Sequence, residues 1–144
     1  MRIRPVLSCL MLTWAMFGCR GPQAQGPTWT PTASGLGILD LAPGTGPSPV
    51  LGQSCSVEVL GWIEEKGQKG TLFLDTRKRG FPARFPLGVG RVIKGWDEGV
   101  LSMKVGGKRT LHIPPALGYG AQGAGGVIPP NADLIFDVEL IDFR

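Results

Sequence analysis

The sequence predicts an α+β fold, an antiparallel β-sheet with one short helix packed on a face. Three observations predict it. Several segments alternate apolar and polar residues, the period-two pattern of half-buried strands. One segment, residues 95–105, repeats at helical spacing instead: Trp96, Val100 and Met103 fall at i, i+4 and i+7. Strand-like segments lie on both sides of it in the chain, an order that suits a helix resting on an antiparallel sheet. Size and composition agree with a single domain. The 144 residues include 42% apolar side chains for a core, and 23 glycines with 13 prolines supply turns and loops.

The N-terminal segment is organised differently. Arg2 and Arg4 precede an apolar stretch at residues 6–17. That stretch has about the length of a signal-peptide core and is shorter than the roughly 20 apolar residues that span a bilayer. Gly18-Cys19 closes it. A cysteine in this place resembles the lipobox of bacterial lipoproteins, whose thiol is acylated and becomes the first mature residue. Val6-Leu7-Ser8-Cys9 fits the four-residue pattern more closely but leaves too short a leader, so Cys19 is the expected lipidation site. The alternative is an ordinary cleaved signal. Residues 1–19 are thus expected to be a signal segment and residues 20–35, rich in Gly, Pro, Gln and Thr, a tether. Residues 36–144 form the folded domain. The expected location is the cell envelope, lipid-anchored and facing the periplasm or the surface, with a secreted soluble protein as the alternative.

Within the domain, Cys55, Val57 and Val59 alternate with Ser54, Ser56 and Glu58 and form the apolar face of a first strand. Residues 71–75 and 84–87 read as short strands between glycine and proline breaks. Asp97 and Glu98 stand in the first turn of the helix, where negative charge suits the helix dipole, and Gly106-Gly107 end it. In residues 108–113, Leu111 and Ile113 face one way, Thr110 and His112 the other. Residues 133–143 carry the strongest pattern: Leu134, Phe136, Val138 and Leu140 share a face, with Asp137 and Glu139 opposite.

Most chemistry is excluded by what is missing. The single histidine, His112, lies in a strand and reads as solvent-facing, which leaves no Ser-His-Asp set. With one His and no cysteine pair there is no metal-ligand set, and no cofactor is implied. Cys55 is the only thiol of the folded part and reads as a small buried hydrophobe. The net charge is +4, half of it from Arg2 and Arg4, and the runs Arg77-Lys78-Arg79 and Lys108-Arg109 are short. A nucleic-acid footprint needs a clustered basic face, so no nucleic-acid partner is expected. Gly118-Tyr119-Gly120-Ala121-Gln122-Gly123 matches G-x-G-x-x-G, but the following glycines and Pro129-Pro130 cannot open the helix that a dinucleotide fingerprint requires.

What remains is apolar and aromatic, and there the pattern becomes specific. Val92-Ile93-Lys94-Gly95-Trp96-Asp97-Glu98-Gly99 resembles the V-I-x-G-W-x-E-G signature of FKBP-type peptidyl-prolyl cis-trans isomerases. Leu117-Gly118-Tyr119-Gly120 is similar to their tyrosine-glycine loop, and Val127-Ile128-Pro129-Pro130-Asn131-Ala132 to their I-I-P-P-x-A/S segment. Leu134-Ile135-Phe136-Asp137-Val138-Glu139-Leu140 is similar to their last strand, and Gly52-Gln53-Ser54-Cys55 and Gly70-Thr71-Leu72-Phe73 fit upstream. The matches run in family order from about residue 35 to residue 143. The resemblance implies a twisted antiparallel sheet, a half-barrel, wrapped around one short helix.

It also implies a site. Trp96 would be the floor; Val59, Phe73, Phe85, Val92, Val127, Ile128 and Phe136 would line walls and rim; Asp75, Ile93 and Tyr119 would act on the substrate. The Ile93 backbone N–H would bond a substrate carbonyl, and Asp75 would be the pocket carboxylate with Arg79 as partner. Val59 stands where the family has a tyrosine, and Ala83 where it has an aromatic, with Phe81 close by. The family's Phe-Asp pair reads Phe73-Leu74-Asp75, so a bulge or a one-residue shift is needed to bring Asp75 to the pocket.

The implied activity is isomerisation of X-Pro bonds in exported polypeptides, with the family's macrolide inhibitors as further ligands. The alternative is a catalytically weak chaperone or peptide-binding module tethered to the membrane. With no dimerisation helix or second domain visible, a monomer is expected.

Overall fold

The computed structural model describes residues 28–144. The expected signal segment with Cys9 and Cys19, and the first half of the expected tether, residues 20–27, lie outside the described residues. The strands are β1 (Thr30–Pro31), β2 (Gly37–Ala42), β3 (Ser54–Glu65), β4 (Gln68–Asp75), β5 (Ala83–Pro86), β6 (Lys108–Ile113) and β7 (Leu134–Phe143). The helices are α1 (Thr76–Arg79) and α2 (Lys94–Leu101). The strands form one antiparallel sheet in the order β1-β2-β6-β7-β3-β4, with β5 also on β3.

The central strand β3 explains the shape. One edge pairs with β7 from Cys55 to Ile63. The other edge is shared: residues 54–57 pair with β5 and residues 60–65 with β4. Between the two partners, Thr76 takes the place of a strand. Its Oγ1 accepts from the Val59 N–H at 2.9 Å and the hydroxyl donates to the Val59 carbonyl at 3.3 Å. A buried backbone pair left open would cost about 1–3 kcal/mol per group, and the buried Thr76 side chain closes it.

The period-two pattern is obeyed along the inner face. Cys55, Val57 and Val59 on β3, Leu111 and Ile113 on β6, and Leu134, Phe136, Val138 and Leu140 on β7 are all buried in one core. Helix α2 rests on that face, contributing Trp96 and Val100. It lies very close to β6 because Gly95 and Gly99 face the strand. A Cβ at these positions would come within 2.6 Å of Ile113 Cδ1 and of Leu111 Cδ1 respectively.

Three expectations need correction. The helix ends at Leu101, before Gly106-Gly107, and Met103 enters the core from the turn that follows. The ordered sheet begins before residue 36: Thr30 and Pro31 pair with Ile38 and Gly37, so the end of the expected tether is docked on β2. The outer sheet face is also more covered than the alternation implied. Thr110 and Ile135 are buried there, and the Trp29 ring lies tilted against half-buried His112, with ring centres 5.6 Å apart. The docked segment supplies that Trp29 cover.

Cys55 is fully buried and its thiol is a free one. Burial pushes its pKa up, because removal from water disfavours the thiolate.

Candidate functional site

The site grows from a chain of four aromatic rings on the inner face of the sheet. Phe73 meets Phe136 edge-on at 5.6 Å, Phe136 meets Trp96 edge-on at 5.2 Å, and Trp96 lies tilted against Phe85 at 5.6 Å. Edge-to-face contacts place the positive rim of one ring on the negative face of the next, worth about 0.5–1.5 kcal/mol each beyond burial. The rings come from β4, β7, α2 and β5, so the cluster exists only when the sheet has closed around the helix. Gly61 makes room for it, since a Cβ there would stand 2.6 Å from Phe136 Cε1 and 3.1 Å from Phe73 Cζ.

The bulge that the register demanded is present. Gly61 of β3 faces Leu74 and Trp62 faces Leu72, which leaves Phe73 as the extra residue. A bulge bends the strand and re-aims its side chains. Phe73 and Leu74 consequently both pack against the core, although they are neighbours in sequence.

Asp75 follows at the end of β4 and is the N-cap of α1. Its Oδ1 accepts from the Arg77 and Lys78 N–H groups at 3.0 and 3.1 Å. The cation nearest to it is Lys78, at 4.0 Å, not the expected Arg79. The carboxylate is therefore engaged in shaping the β4–α1 corner, which also presents Thr76 to β3.

At Trp96 the ring cluster borders an open cavity of about 360 Å³ lined by Gly90, Arg91, Val92, Ile93, Trp96 and Tyr119. Val92 and Ile93 are half-buried against the core, and Ile93 is the N-cap of α2. Its carbonyl accepts from the Trp96 and Asp97 N–H groups. Its own N–H donates to no group among the described residues. The Trp96 indole N–H is likewise buried without a partner. Tyr119 is 40% exposed and stands between two short 3₁₀ turns, Pro115–Leu117 and Gly120–Gln122.

The loop that follows parts its apolar pair. Ile128 is buried in the core cluster and bridges back to Ala124, whereas Val127 is 55% exposed. Val59 is buried within the core rather than at the mouth, and Phe81 is exposed beside a separate cavity with Pro82, Ala83 and Arg84. The structure thus brings Val92, Ile93, Trp96 and Tyr119 to one cavity, whose floor, Trp96, is backed in the core by Phe85 and Phe136, with Phe73 beyond. Val59 and Ile128 support that floor from the core, and Asp75 shapes a corner. Cys19 lies outside the described residues.

Two contributors were missed by sequence reasoning. Arg91 lines the cavity. Asp97, read only as a dipole partner, accepts from the Gly88 N–H at 2.8 Å and the Gly90 N–H at 3.1 Å, tying the loop that leads to Arg91 onto the helix. Both glycines have positive φ, 75° and 73°, so the alternating Gly88-Val89-Gly90 was the signal of a tight, side-chain-capped turn. Among the described residues no cluster of three or more His, Cys, Asp or Glu could hold a metal. The site offers an apolar floor and hydrogen-bond donors at its edge, with no nucleophile.

Comparison with known proteins points to one family. The family model described as FKBP-type peptidyl-prolyl cis-trans isomerase matches residues 46–141. The chain is 52% identical over 110 residues to FK506-binding protein 1 of Dictyostelium discoideum, covering 76% of this chain and 99% of that protein. It is 54% identical over 107 residues to the FK506-binding protein of Neisseria meningitidis serogroup B, covering 74% and 94%. Among solved structures it is similar to AtFKBP13, with a TM-score of 0.74 at 41% identity over 81% of this chain and 99% of the other. FkpA of Escherichia coli gives a TM-score of 0.73 at 37% identity over 81% of this chain and 51% of FkpA.

Proposed function

The chain belongs to the FKBP-type peptidyl-prolyl cis-trans isomerases, and from that premise we propose that the cavity at Trp96 is where it binds and isomerises X-Pro bonds of exported polypeptides. The observation that carries the proposal is the Trp96 ring in the cavity wall, backed by Phe136 and Phe85, together with an unengaged donor, the N–H of the cavity-lining Ile93.

The chemistry asks for no more. The barrier, about 18–20 kcal/mol, is amide resonance, which disappears as the C–N bond twists. The twisted amide is less dipolar than the planar one, so apolar contact with Trp96, Val92 and Ile93 favours it. The Ile93 N–H holds a flanking carbonyl of the substrate, and the Tyr119 hydroxyl offers a second contact at the rim. Such contacts accelerate the reaction only as far as they bind the twisted form better, tenfold for each ~1.4 kcal/mol. Asp75 acts through the α1 corner as a positioning residue, and Val127 with Tyr119 meets the substrate from outside.

A protein whose refolding is limited by proline isomerisation tests this. Substoichiometric amounts should shorten its slow phase. Suppressed aggregation with an unchanged slow phase would leave only a binding module. FK506, which names the relatives, should compete for the same cavity and abolish the acceleration.

The place of action rests on the segment before the domain. Acylation of Cys19 would hold the domain at the cell envelope as a monomer, since acyl chains bind membranes through about 0.8 kcal/mol per buried CH₂. Cys19→Ser should move the protein from the membrane to the soluble fraction. An unchanged distribution would remove the lipid anchor from the account.

A further inference from the structure

The side chains that line the cavity include one cation and no anion. The Trp96 indole N–H is buried without a partner, the Ile93 N–H donates to no described residue, and Arg91 and Tyr119 line the cavity. No carboxylate lines the cavity. Arg91 is exposed and makes no ion pair with any described residue. Lys94, the first residue of α2, is exposed and likewise without an ion pair among the described residues.

The carboxylates close by in sequence are engaged. Both oxygens of Asp97 hold the Gly88 and Gly90 N–H groups, and Glu98 accepts from the Ser34 hydroxyl at 2.6 Å. Asp97 thereby fixes the backbone one residue before Arg91, so this cation is presented at the cavity and not on a free loop.

We propose that Arg91 is a specificity residue, selecting X-Pro segments that carry an Asp or Glu directly beside the proline. The inference rests on the cavity being the isomerase site. An exposed ion pair is worth roughly 0.2–1 kcal/mol, which is a preference of about 1.4- to 5-fold. Attraction of an acidic peptide and repulsion of a basic one act together, so the ratio between the two belongs near the upper end.

The test uses tetrapeptides with Glu, Gln or Lys before the proline, and a second set with these residues after it. Isomerisation is followed at low and at high salt. For one of the two positions, the Glu peptide should exceed the Lys peptide in kcat/KM by about fivefold at low salt, and the ratio should shrink at 1 M salt, where the Debye length is about 3 Å. Arg91→Gln should bring that ratio towards one and Arg91→Glu should reverse it. Lys104→Gln removes an equal charge from a separate cavity beside Met103 and Gly107 and should leave the ratio as it is. Equal rates for Glu and Lys peptides at both positions, with the Gln peptides still isomerised, would overturn the role of Arg91 alone. Failure to isomerise any peptide would instead overturn the site on which it rests.

Discussion

The floor of the site and its rim are built by different means. Phe136, Trp96 and Phe85 sit on β7, α2 and β5, and their burial belongs to the core of the domain. Tyr119, Val127 and Arg91 sit on turns, are exposed, and are held by backbone and capping hydrogen bonds. The floor cannot change without loosening the fold, whereas the rim can change while the fold persists. The aromatic cluster is thus fixed by stability, and the proposed substrate contacts fall on residues that stability does not constrain.

Substitutions along the line from floor to rim should separate these roles. The largest effect is expected from Trp96→Ala, which deletes the ring that joins Phe136 to Phe85. Truncating a buried aromatic costs about 3–5 kcal/mol, so melting temperature and activity should fall together. A variant that melts like the parent would mean that the floor is not part of the core.

Ile128→Ala sharpens the boundary. The side chain is 6% exposed and packs into the core from an otherwise exposed loop. Loss of about 2 kcal/mol is expected, at the low end for such truncations, together with weaker peptide binding as the loop loses its anchor. Denaturant melts and KM measured on the same preparation give both quantities. A raised KM at full stability would class Ile128 with the rim.

Asp75→Ala should remove the cap of α1 and cost about 1 kcal/mol. The same corner presents Thr76 to β3, so the rate should fall no further than the loosened fold explains. A fall of tenfold or more in kcat/KM with an unshifted melting temperature would make Asp75 a group that acts on the substrate.

Tyr119→Phe is the mildest change, since the ring is half in water and its hydroxyl serves no described hydrogen bond. Stability should hold within about 0.5 kcal/mol, with kcat/KM several-fold lower. An unaltered rate would take Tyr119 out of the site. As an internal standard for intact packing, the buried Cys55 thiol should react with a thiol reagent only when the domain opens. Its labelling rate should rise for Trp96→Ala and stay low for Tyr119→Phe.

Much of this was written locally in the chain. Period-two alternation marks β3, β6 and β7, and the i, i+4 spacing of Trp96 and Val100 marks α2, because a strand or a helix with one buried face leaves that face in its sequence whatever it packs against. The motifs around Ile93, Trp96 and Tyr119 likewise single out residues that the fold brings to one cavity. Tertiary structure decided what depends on partners distant in sequence. The division of one β3 edge between β4 and β5, and the closing of the gap by Thr76, follow from where those strands end. The bulge at Phe73 was visible only as a conflict of register, and pairing with Gly61 and Trp62 resolved it. Composition made residues 20–35 read as a tether, yet Thr30 and Pro31 pair with β2 and Trp29 lies tilted against His112. Polar, proline-rich sequence carries no period of its own, so an edge strand lent by its neighbour leaves no trace until the neighbour is in place.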